Sequence, residues 1–179
     1  MKSTLKIRRE PDRKKNDKDA AKENPEKIHS ADFDLQQVLY VPTDPTNLIH
    51  FYKTKLATYN FTIFNCGDST GKCYMWSEVE GSRGPCEIAS CLFHHLKNLP
   101  TTIQNVRLFS DTCGGQNKNQ FVAAMFIYAV QALPIEIIDQ KYLVSGHSQR
   151  VKWNAILCMP ESKQQPKISQ FICLNYCSN

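Results

Sequence analysis

The chain has 179 residues, of which 41% are hydrophobic, 22% charged and 10% aromatic, so it is long enough to bury a core without metal or disulfide support. These fractions exclude a disordered or fibrous protein, and no apolar run approaches the roughly 18 residues of a membrane span, so a soluble, mostly globular chain is expected. The net charge of +5 is uneven: residues 1–27 hold ten Lys/Arg against six Asp/Glu, and residues 28–179 hold twelve against eleven.

The first residues, Met1-Lys2-Ser3-Thr4-Leu5-Lys6, contain no apolar h-region, which predicts a nuclear or cytoplasmic chain that is not secreted. The eight cysteines are then expected as thiols, most of them small core residues. Residues 1–30 read as a basic, disordered arm, solvated or at most loosely helical over 6–27, because Arg8-Arg9 and Arg13-Lys14-Lys15 come with almost no large apolar residue to offset the entropy of ordering. Such clusters suit phosphate contacts or nuclear entry as well as plain solvation.

Alternating hydrophobicity from residue 31 marks the expected start of the packed domain. Phe33 to Leu39 reads as a first strand, closed by Pro42 and Pro45. Tyr59, Phe61 and Ile63 alternate with Asn60 and Thr62 as a second, and the turn Gly67-Asp68-Ser69-Thr70-Gly71 leads into a third at Cys73 to Trp76. Ile88, Cys91, Leu92, His95, Leu96 and Leu99 share one helical face between Gly84-Pro85 and Pro100. Val106 to Ser110 is a fourth strand ending at Asp111, and Thr112-Cys113-Gly114-Gly115 a turn. A helix from about Asn117 to Leu133 is apolar nearly all round and is expected to lie buried between layers. Ile135 to Ile138 gives a fifth strand, leading to Gly146-His147-Ser148.

A three-strand meander followed by helix, strand, helix, strand describes an α/β fold, a mixed sheet flanked by helices, in the element order of a ribonuclease H-like fold. That fold carries acids on its first strand and at the end of its fourth, the places of Asp34 and Asp111 here. Carboxylates on neighbouring strands suit Mg2+ or Mn2+, hard cations that take oxygen ligands and clamp both oxygens of a phosphodiester exchange. The bland alternative makes Asp34 a surface strand residue and Asp111 a turn or cap acid. Asp139 is expected to be peripheral.

The strings Asp34-Leu35-Gln36-Gln37-Val38-Leu39, Cys73-Tyr74-Met75-Trp76-Ser77-Glu78, Arg83-Gly84-Pro85-Cys86-Glu87-Ile88-Ala89-Ser90-Cys91, Ser110-Asp111-Thr112-Cys113-Gly114-Gly115-Gln116-Asn117 and Gly146-His147-Ser148 closely resemble a transposon-derived family of unknown function with a ribonuclease H-like, transposase-type core. The resemblance covers residues 31–149, the expected core. It implies descent from a DNA strand-transfer enzyme, with Asp34 and Asp111 matching the first two metal-binding acids and DNA the ancestral substrate.

In that family Gly-His-Ser looks to continue as approximately H-S-x-x-E-x-D-x-M-H-x-x-I-E, whereas Gln149 to Pro160 contains no acid. Reading Trp153 through Pro160 two nucleotides out of phase forces E first and A last and permits E-C-D-T-M-H-A, which points to a decayed copy or a shifted gene model. His147, as an orienting group, and Glu161, as a surrogate third ligand, are the remaining catalytic candidates, and residues 150–179 read as a degenerate, irregular tail. The expected function is a relic or fragment of a transposase- or integrase-like protein, impaired by loss of the third acidic motif. Two alternatives remain: a non-catalytic domain binding nucleic acid or protein, and a zinc module. For the latter, Cys86, Cys91 and His94, or Cys173 and Cys177, supply soft ligands without the paired spacing of a structural site.

Overall fold

Period-two runs of β-branched and aromatic residues, broken by Asn, Asp, Gly and Pro, dictate a sheet with helices between its later strands. The computed structural model describes residues 4–9, 14–41, 54–143 and 167–173. In chain order these form β1 (Thr4–Arg9), α1 (Lys14–Glu23), β2 (Ile28–Leu35), β3 (Leu39–Val41), β4 (Leu56–Asn65), β5 (Thr70–Ser77), α2 (Pro85–Lys97), β6 (Asn105–Ser110), α3 (Gln120–Ala132), β7 (Ile137–Tyr142) and β8 (Lys167–Cys173). All eight strands join one mixed sheet in the order β1-β7-β6-β2-β4-β5-β8, with β3 paired to β4. β1, β7, β6 and β2 run parallel, β4 is antiparallel to both β2 and β5, and β8 runs parallel to β5.

The two faces of this sheet differ in chemistry. Ala31, Phe33 and Leu35 of β2 point to one face with Phe61, Ile63, Tyr74, Trp76, Val106, Leu108 and Ile138, where α2 and α3 cover them through Ile88, Leu92, Leu96, Val122, Phe126 and Ala129. The alternate residues Ser30, Asp32, Thr62, Arg107 and Lys141 point to the other face, the side of α1.

Local chemistry sets the element ends. Pro85 opens α2 after the extended Gly84, and Glu87 Oε1 reaches back to accept from Ser82 N and Oγ at 2.8 and 2.9 Å. Asn119 caps α3 by accepting from Val122 N at 3.0 Å. In the β4–β5 turn the left-handed residue is Ser69 (φ 59°), not a glycine, and Asp68 Oδ1 holds the turn by accepting from Thr70 N and Oγ1 at 2.9 and 2.7 Å.

Four expectations change. Residues 1–30 hold a strand, a helix and the start of β2 rather than only a disordered arm, because Asp17 of α1 pairs with Arg107 and Lys141 on the sheet. The packed region therefore begins before residue 31: β2 covers Ile28–Leu35, and the chain breaks before β3 instead of running through to Leu39. α3 buries only one side, leaving Phe121, Ile127 and Tyr128 half exposed, because the sheet and α2 meet it from that side alone. Within 150–179, residues 167–173 form β8 beside β5, and the other residues of that range lie outside the described set. Among the described residues no helix is long and apolar enough to cross a membrane.

Candidate functional site

β2 and β6 are adjacent parallel strands in the register Ala31 to Leu108 and Asp32 to Phe109. Continuing that register by two residues sets Asp34, near the C-terminal end of β2, alongside Asp111, which directly follows β6. Neighbouring strands lie about 4.8 Å apart, so both acids belong to the same end of the sheet, on two adjacent strands. Asp34 is half-buried between β6 and β4, where it pairs with Thr62, and Asp111 is exposed.

The segment after β6 folds back on Asp111. Asp111 Oδ1 accepts from Cys113 N at 3.1 Å and from Asn117 Nδ2 at 2.6 Å. The Cys113 carbonyl accepts from Gln116, Asn117 and Lys118 N at 3.3, 2.8 and 2.9 Å, closing the turn that delivers Asn119 to the head of α3. Behind it, Ser110 Oγ accepts from Gln140 Nε2 at 2.9 Å and donates to the Asp111 carbonyl at 3.0 Å, which ties the strand end to β7. A Cβ added at Gly114 or Gly115 would meet nothing within 4 Å, so this turn faces open space.

Whether a hard cation fits depends on free oxygens. Asp111 Oδ1 is committed to two donors, while its second oxygen accepts no hydrogen bond from any described residue. One or two carboxylates with water completing the shell is a common way to hold Mg2+, and the second oxygen of Asp111, beside the strand that carries Asp34, is a ligand of that kind. Among the described residues no three of His, Cys, Asp or Glu come together as a metal site, so no third acid joins them there. His147 and Glu161 lie outside the described residues. Asp139 sits on β7 in register with Arg107, four residues before Asp111, and is 3.6 Å from Lys141 Nζ, away from the Asp34–Asp111 end.

The same count bears on zinc: Cys86, Cys91 and His94 do not form a metal-binding group. Cys91 is buried, and burial pushes its thiol up to about 12, which keeps it protonated rather than a thiolate ligand. Cys173 belongs to β8, and Cys177 lies outside the described residues.

Three features escaped the sequence reading. Asp32 is buried on the face that also carries Asp34, and its i, i+2 spacing from Asp34 within a strand was the available signal. Asn117 is fully buried although it lies in a turn, a placement that no periodicity announces. His29 and His95 meet with Nε2 atoms 3.0 Å apart, joining β2 to α2 beside a cavity of about 530 Å³ whose wall includes Lys72 and Asp68. Burial lowers His29 to about 4, against a raising influence from Asp68 and a lowering one from Lys72, and burial also takes His95 well below its ordinary value. This pair lies near the start of β2, at the opposite end of the strand from Asp34.

Compared with known proteins, the chain matches no family model, no curated protein and no solved structure.

Proposed function

We propose that this chain is a relic or fragment of a transposase- or integrase-like DNA strand-transfer protein on a ribonuclease H-like sheet, impaired by loss of its third acidic motif. What carries the reading is the position of Asp34 and Asp111 at the C-terminal ends of two adjacent parallel strands. The order β5-β4-β2-β6-β7, with only β4 antiparallel to the central strand β2 and β6 and β7 parallel to it, supports the comparison. The two carboxylates would hold one Mg2+ or Mn2+ ion, whose role when bound is to polarise a phosphodiester oxygen. Asp111, fixed by Cys113 and Asn117, presents a preset oxygen; Asp34 supplies the second from the neighbouring strand.

Phosphoryl transfer through two metals needs enough fixed carboxylates to align both ions with the scissile phosphate. Gln149 to Pro160 supplies none, so a second ion lacks ligands from that stretch. The test is cleavage of labelled DNA with Mg2+ or Mn2+: we expect no appreciable nicking by the chain as it stands, and recovery of metal-dependent nicking when an E-x-D-x-M-H segment replaces the residues after Ser148. Robust nicking by the unaltered chain that disappears in Asp111→Asn overturns the claim of impairment.

A second reading, a non-catalytic domain that binds a protein or nucleic acid, is favoured by the exposed apolar side of α3 at Phe121, Ile127 and Tyr128.

A further inference from the structure

We infer that Asn117 is a positioning residue for the Asp111 carboxylate, an inference that rests on the cation site proposed above. Asn117 is the only fully buried residue between Asp111 and Gln120. Its backbone is anchored twice, its N–H donating to the Cys113 carbonyl at 2.8 Å and its carbonyl accepting from Tyr142 Oη of β7 at 3.4 Å. The side chain therefore leaves a fixed point, and Nδ2 donates to Asp111 Oδ1 at 2.6 Å. A carboxylate only accepts, which fixes the amide with its nitrogen toward Asp111 and its oxygen away. That oxygen is buried without a hydrogen-bond partner among the described residues.

A buried amide satisfied at one end costs free energy that an apolar side chain of the same size would avoid. What the amide supplies is orientation. With Oδ1 held by both Asn117 and Cys113, rotation of the carboxylate is restrained, and its other oxygen accepts no hydrogen bond from a described residue. Outer partners of this kind typically change metal affinity about 10- to 100-fold.

The test uses the full chain and Mn2+ as the probe, with Asn117→Leu keeping the branched heavy-atom shape and Asn117→Ala as a second, smaller replacement. Affinity is read by calorimetric titration and the ion's position by paramagnetic broadening of backbone amide signals. We expect the Leu variant to unfold at or above the temperature of the unsubstituted chain while binding Mn2+ about tenfold more weakly. Broadening at the Cys113 amide should fall relative to that at Leu35, because Asp111 no longer holds the ion. Unchanged affinity and an unchanged broadening pattern in either folded variant overturn the inference alone. Failure of the unsubstituted chain to bind Mn2+ overturns the cation site and the inference together.

Discussion

His29 and His95 show how a polar residue becomes core. Both imidazoles are buried, and one Nε2–H donating to the other Nε2 at 3.0 Å satisfies those two nitrogens, while His95 Nδ1 has no hydrogen-bond partner among the described residues. The pair stays neutral in the folded chain, because burial holds His29 at about 4 and His95 well below its usual value. The unfolded chain binds protons on both below about 6.5, so it holds more protons than the native state between about pH 6.5 and 4. Stability from this pair is therefore complete above pH 6.5 and is lost as the pH falls toward 4, by about 3 kcal/mol for His29 at 1.36 kcal/mol per pH unit. Thermal unfolding followed across that window should show the loss, and His29→Phe combined with His95→Leu should flatten the slope. An equally steep slope in the double variant would assign the acid sensitivity elsewhere.

Among the elements, α1 departs furthest from what its sequence suggests. Its charged residues read as a solvated arm or a loose helix, yet Asp17 is buried against Arg107 Nη1 at 2.8 Å and bonds Lys141 Nζ, with Ala21 buried beside it. Those cations lie ninety and more residues downstream, so no local pattern foretells the docking. Asp17→Ala should cost about 3 kcal/mol, the low end for a broken buried pair because Asp139 remains 3.6 Å from Lys141. Removing residues 1–25 should cost at least as much, measured as a drop in the urea midpoint. A truncated chain of unchanged stability would show that α1 contributes nothing to the fold.

α2, by contrast, was legible. Ile88, Cys91, Leu92, His95 and Leu96 are its buried residues, five of the six positions whose spacing predicts one amphipathic face, while the sixth, Leu99, lies past the helix end and is only partly buried. The hairpin of β4 and β5 and the strand β6 were legible for the same reason, since period-two alternation with turn residues leaves few other arrangements. β2 was placed too late because His29 and Ser30 look like surface residues until His95 pairs the first of them. α3 was expected between layers because its sequence is apolar nearly all round, but hydrophobicity all round cannot reveal how many sides are covered.

At the scale of the whole molecule the sheet separates two chemistries. One face carries most of the aromatic and aliphatic core under α2 and α3; the other buries polar and charged groups, Ser30, Asp32, Thr62 and Lys141, beside Phe64 and Phe109. Asp34 and Asp111 lie at the end of the sheet where the parallel strands β2 and β6 finish together. Their strand positions could be read from element order, but the clamp on Asp111 could not, because it depends on Asn117 turning inward from a loop.

The most direct measurement is a Mn2+ titration of the full chain, followed by amide broadening, alongside Asp34→Asn, Asp111→Asn and Asp139→Asn. The account predicts a single bound ion that broadens the signals of Leu35 and Cys113, is lost in the first two variants and persists in the third. Binding that survives both Asp34→Asn and Asp111→Asn, or that broadens the Asp139 end of the sheet instead, would contradict it.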